Sequence, residues 1–147
     1  MIASRPAGLT SNAYGPHQPL NSQAFKVNGT IYVAAQVANM PRAAHINESL
    51  ATAEKMIRNI EAILKAAGSG LDRIIKTTVG SDNSWLSDHL ELNVYFTENL
   101  WVHLIEGFEA LYKRILPFAP PRTTVFVPRM GHKGNRQEIQ MEVIAVE

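Results

Sequence analysis

The sequence predicts an α+β fold: one sheet with helices packed on one of its faces. Three observations predict it. An Asn-Gly turn joins two β-rich arms early in the chain, two long stretches carry apolar residues at helical spacing, and β-rich runs follow each of those stretches. With 147 residues, the chain is most simply a single domain over residues 1–147, large enough for a substantial core.

Residues 1–22 are rich in Pro, Gly, Ser and Asn and read as an extended lead-in without a core of its own. Ala24–Val37 reads as a hairpin, because Asn28-Gly29 supplies the positive φ values of a tight turn. Its second arm, Ile31 to Val37, is almost wholly apolar and is expected to be covered on both faces. Ile46, Leu50, Ala53, Ile57, Ile60, Leu64 and Ala67 then follow the i, i+3/i+4 rule, with Gly68 and Gly70 closing the helix. The opposite face, with Glu48, Glu54, Lys55, Arg58, Glu61 and Lys65, is a solvated surface. Leu71–Val79 returns as a strand. Gly80–Asn93 interrupts the pattern as an insertion with three acids and no base, and a short helix is expected from Ser84. Trp101, Leu104, Ile105, Phe108, Leu111, Tyr112 and Ile115 mark a second helix, Leu100–Leu116, which Pro117, Pro120 and Pro121 end. Strands follow at Arg122–Val127 and Glu138–Glu147. The turn Met130–Asn135 is expected to join these two as a hairpin.

Composition excludes several function classes. The formal charge is +1, from 14 basic and 13 acidic side chains, too balanced to argue for a nucleic-acid partner. There is no cysteine, so disulfide, thiol and Cys-zinc chemistry are absent. The five histidines have no metal-binding spacing, and no metal site is expected. No apolar run approaches the roughly 20 residues that span a bilayer, and the N-terminus lacks an apolar signal core. A cytoplasmic location is expected, with a mitochondrial one as the alternative. Phosphate-loop, dinucleotide, zincin and nucleophile-elbow motifs are all missing.

What remains are polar residues where a strand prefers apolar ones. Period two along the last strand puts Ile139, Met141, Val143 and Ala145 on one face, leaving Glu142 mid-strand on the other. Arg122 opens the strand before it, directly after two prolines. Two readings fit. One is a cross-strand ion pair on an exposed sheet face, worth about 0.2–1 kcal/mol. The other is an anion clamp beside a general acid/base, since arginine's planar fork matches a carboxylate with two parallel hydrogen bonds.

The C-terminal run PPRTTVFVPR…EIQMEVIAVE resembles the ending of the Rid family, also called YjgF-like proteins. YGPHQP, NGTIYVAAQV and ESLATAEKMIRNIEAILKAAGSGLDRIIKTTV are similar to that family's other blocks, in the same order. The resemblance implies a chorismate-mutase-like fold with a mixed sheet and two helices on one face. It also implies a homotrimer with ligand clefts between subunits, and no cofactor. The activity it implies is hydrolytic deamination of small enamine and imine acids such as 2-aminoacrylate, with an imino or keto acid as ligand. By that resemblance Arg122 holds the substrate carboxylate, Glu142 activates the attacking water, and the main chain near Ala35 and Thr124 adds contacts. His17 replaces the family's tyrosine, Ala34 and Ala35 replace its serine and glycine, and Ile105 stands where it often has asparagine. His17 is either a hydrogen-bonding substitute or a residue of the cleft rim. These changes point to a more apolar site, with an altered substrate range or lost activity. The alternatives are a trimer that binds small carboxylates without turnover and, less favoured by the charge balance, a ribonuclease or translation inhibitor.

Overall fold

The computed structural model describes residues 8–9, 22–39, 46–82, 98–127 and 137–147. In chain order its elements are β1 (Gly8–Leu9), β2 (Ala24–Val27), β3 (Thr30–Asn39), α1 (Ile46–Ala66), β4 (Ile74–Asp82), α2 (Glu98–Ile115), β5 (Arg122–Val127) and β6 (Gln137–Val146). A 3-10 turn, Leu71–Arg73, leads into β4. Among the described residues the strands form one mixed sheet, ordered β1-β2-β3-β6-β4-β5. Only β4 and β5 run parallel; every other neighbouring pair is antiparallel. The predicted α+β architecture is therefore present, with both helices on one side of the sheet. Among these residues no helix is long and apolar enough to cross a membrane.

The local signals act as the sequence implies. Asn28 and Gly29 take φ of 49° and 75°, which lets Val27 pair directly with Thr30 in the β2–β3 hairpin. Helix α1 buries Ala53, Met56, Ile57, Ile60, Ile63 and Leu64. Its end is closed by Gly68 at φ 83°, whose N–H donates to the Lys65 carbonyl at 3.1 Å. The Ser69 N–H reaches back to the Leu64 carbonyl at 2.8 Å, completing the paired bonds of a glycine-terminated helix. Helix α1 packs on the middle of the sheet, where Ile139, Met141, Val143 and Ala145 of β6 are buried as period two predicts. Ile31 and Val33 of β3 and Ile74, Thr77 and Val79 of β4 extend the same core.

Several expectations need correction. Within one chain β3 is covered on one face only: Tyr32 is half exposed and Ala34 is exposed, because both helices lie on the other side. β5 and β6 do not pair. β4 enters between them, so the helix returning from β4 delivers β5 to the outer edge of the sheet. The turn expected to join β5 to β6 lies outside the described residues. β4 also runs to Asp82, so Gly80–Asp82, the first residues of the stretch read as an insertion, are paired in the sheet, Gly80 and Ser81 to both neighbours and Asp82 to β5. The rest of that insertion, including the helix expected from Ser84, is outside the described residues, as is His17.

Candidate functional site

Helix α2 ends against Leu116, and Ala119 turns the chain at φ 48°. Pro120 is buried, and the Pro121 carbonyl accepts the Thr77 N–H at 2.9 Å. That bond docks the proline segment on β4 and fixes where β5 starts, with Arg122 level with Thr77. Thr77 is fully buried on the helix side of the sheet, and its hydroxyl is 2.7 Å from that of Tyr112 on α2. Burial pushes the Tyr112 phenol above its usual range; the Thr77 hydrogen bond and the Arg122 charge work in the opposite direction.

Arg122 follows that surface. Its guanidinium carbon lies 4.7 Å from the Tyr112 ring centroid, within the range of a cation–π contact. Its Nη2 donates to Glu109 Oε1 at 2.5 Å. The Arg122 side chain is 23% exposed and that of Glu109 48%. Ile105, Glu109 and Tyr112 stand at i, i+4 and i+7 on α2, so a single helical stripe faces the start of β5.

Glu142 is elsewhere. It is exposed on the sheet face away from the helices, level with Thr78 of β4, which in turn is level with Thr123 of β5. The cross-strand Arg122–Glu142 pair is therefore not formed within the chain; Arg122 takes Glu109 instead, on the opposite side of the sheet. Opposite Glu142 on the other flank, β3 carries a bulge. Val33 pairs with Val143 and Gln36 with Met141, which sets Ala34 and Ala35 together against the one residue Glu142. The Gln36 side chain donates to the Ala34 carbonyl at 3.2 Å, and the Ala34 N–H donates to the Gln23 carbonyl at 2.8 Å.

The sequence-predicted residues thus fall into two groups. Ala35 and Glu142 lie opposite each other in the sheet, whereas Arg122 sits at the β5 edge on the helix side against Glu109 and Tyr112, on the α2 stripe that includes Ile105. Thr124 is exposed on β5, level with Val79. Glu109, Tyr112 and Thr77 were missed. The available signal was the proline turn, which folds β5 back along the last turns of the helix. Among the described residues no group of three His, Asp or Glu side chains is placed to hold a metal ion.

The sequence pattern of the family described as Endoribonuclease L-PSP matches residues 10–147. A mouse protein named 2-iminobutanoate/2-iminopropanoate deaminase is 31% identical over 137 residues, covering 92% of this chain and 84% of the mouse protein. The RutC family protein y4sK of Sinorhizobium fredii is 34% identical over 87 residues, 58% of this chain and 64% of that protein. The crystal structure of yeast Mmf1 superposes with a TM-score of 0.70 at 25% identity, covering 97% of this chain and 99% of the yeast one.

Proposed function

The chain belongs to the YjgF/RutC/Rid family, described as Endoribonuclease L-PSP, and on that premise we propose that it is a cofactor-free hydrolytic deaminase of small 2-imino acids, working in clefts shared between copies of a homotrimer. The mouse relative's name supports the reaction class. The observation that carries the shared site is a separation within one chain. β5 and β3 are three strand steps apart in the sheet. At about 4.8 Å per step that is about 14 Å, more than a three- or four-carbon acid spans. Glu142 is two steps from β5 and on the opposite face from Arg122. One ligand therefore meets Arg122 and Thr124 of one copy and Ala35 and Glu142 of its neighbour. The half-exposed Tyr32, Ile75 and Val125 on or beside the open face give the neighbour an apolar surface to cover. Such cover also accounts for the apolar second arm of the hairpin.

In this reading the guanidinium of Arg122, backed by the Tyr112 ring, holds the ligand carboxylate. The imine carbon is already electrophilic, so placing water against it supplies much of the rate. Glu142 of the neighbouring copy takes a proton from that water as its oxygen bonds to carbon. The same carboxyl then returns that proton to nitrogen and accepts the hydroxyl proton as the C–N bond breaks, so that the keto group forms and, with that second proton passed on to it, the nitrogen leaves as ammonium. A cytoplasmic location belongs to the same proposal.

The test is complementation. Arg122→Ala and Glu142→Gln, each alone, lose turnover of freshly generated 2-aminoacrylate. Random 1:1 mixed trimers regain about a quarter of wild-type sites, the chance that an intact arginine faces an intact glutamate across each interface. Mixed trimers as inactive as their parents refute the shared site. An inactive wild type refutes the deaminase. A second reading, carboxylate binding without turnover, is favoured by Ala34 and Ile105, which remove polar groups the family usually has, and by Ala35, whose methyl group crowds the close approach that glycine permits. It requires Arg122-dependent thermal stabilisation by 2-ketobutyrate and no ammonia release.

A further inference from the structure

The ion pair at the β5 edge bears on which ligand Arg122 can accept. Nη2, the atom that Glu109 engages at 2.5 Å, belongs to both two-pronged edges of a guanidinium. A carboxylate that takes either edge therefore lies beside the Glu109 carboxylate. The guanidinium carbon lies over the Tyr112 ring, which is itself held by Thr77, and Nη2 is held by Glu109, so the group is fixed at two points. Among the described residues, Arg122 contacts Glu109 and Tyr112, and no second cation pairs with Glu109. Two carboxylates sharing one arginine repel each other unless the ligand brings a positive charge with it.

A protonated 2-imino acid does so. Its carboxylate and its nitrogen cation sit on adjacent carbons, which matches a guanidinium and a carboxylate in contact. The 2-keto acid formed by hydrolysis does not. In R–C(=NH2+)–COO− + H2O → R–CO–COO− + NH4+, the water oxygen becomes the keto oxygen. The nitrogen leaves with both water hydrogens, and the positive charge leaves with it. The anion left on Arg122 then faces Glu109 uncompensated.

We propose that Glu109 is a specificity-determining residue of this site: it selects ligands with a cation beside the carboxylate, 2-imino and 2-amino acids, and weakens the hold on the 2-keto acid product. The proposal rests on the reading of Arg122 as a carboxylate clamp. It adds substrate–product discrimination by a residue outside the family motif, on a stripe with Ile105 and Tyr112.

The probes are L-2-aminobutyrate and 2-ketobutyrate, matched in carbon number and both stable. Their affinities for wild type, Glu109→Gln and Arg122→Ala are measured by calorimetry, with far-ultraviolet circular dichroism confirming that each variant is folded. Wild type is expected to prefer the amino acid. Glu109→Gln is expected to shift the amino-to-keto affinity ratio toward the keto acid by about tenfold, the scale of one lost charge-assisted hydrogen bond. In the turnover assay, inhibition by 2-ketobutyrate becomes stronger in the same variant. If Arg122→Ala abolishes binding of both probes while Glu109→Gln leaves their ratio unchanged, the role of Glu109 is refuted and the clamp stands. If Arg122→Ala binds both as wild type does, the clamp itself is refuted, and this inference with it.

Discussion

The contact that anchors the Arg122 platform can be taken apart in a double-mutant cycle. Tyr112→Phe removes the hydroxyl 2.7 Å from Thr77 Oγ1 while keeping the ring under the guanidinium. Thr77 is fully buried and Tyr112 is 6% exposed, so water cannot replace the missing partner. The orphaned threonine hydroxyl then costs about 1–3 kcal/mol. Thr77→Val leaves the tyrosine hydroxyl orphaned at a similar cost, about 1–3 kcal/mol, because the valine methyl fills the space without accepting a bond. The double variant buries no orphan, and its cost is expected to fall to about 1 kcal/mol or less, since replacing both partners by apolar groups of the same shape is nearly neutral. The assay is urea unfolding followed by circular dichroism at one protein concentration. Midpoints then rank wild type and double variant together above both single variants. Calorimetry gives the same order, at about 2–4 °C per kcal/mol for a chain of this size. If the single costs simply add in the double variant, the two hydroxyls do not depend on each other, and the platform argument fails.

Two further predictions concern the fold. The folded-state pKa of Tyr112 lies above its usual 10.0, with desolvation as the main cause. The neutral phenol therefore contributes stability in full below pH about 10, and that contribution is lost as pH rises through the higher folded value. Ultraviolet titration of the phenolates should show an ionisation above pH about 10 that Tyr112→Phe removes, and the same variant should make the alkaline loss of stability shallower. An unchanged alkaline limb in that variant contradicts the burial argument. Gly68→Ala places a Cβ at φ 83° and should cost about 1 kcal/mol, read as a lower urea midpoint with unchanged slope. Gly70 to alanine, at a position with extended backbone, provides the contrast.

What was legible in the sequence was whatever depends on near neighbours. The Asn28-Gly29 turn, the capped apolar stripe of α1 and the alternation Ile139-Met141-Val143-Ala145 each carry their signal within a few residues, and each forms as read. The position of β5 carries no such signal. Its six residues read equally well as a partner of β6 or of β4, and the order is decided by the crossover through α2 and by the Thr77–Pro121 bond. Glu109 was invisible for the same reason: 13 positions separate it from Arg122, and only the proline turn closes that gap. The resemblance to a family pointed to Arg122 and Glu142 as functional. It gave no indication that the two lie on opposite faces of one sheet.

The two alanines opposite Glu142 have a consequence for how this strand can change in length. Along the regularly paired stretch from Thr30 to Val33, gaining or losing one residue would turn every later side chain to the other face. Between Val33 and Gln36 the chain already holds two residues against one, so deleting one of them restores simple pairing while Val33 stays on Val143 and Gln36 on Met141. The strand thus has a splice point. A single-residue deletion here alters the local twist and the backbone beside Glu142, yet leaves the core on both sides in register. Variation in chain length can therefore accumulate beside the proposed catalytic carboxylate without first unpacking the protein.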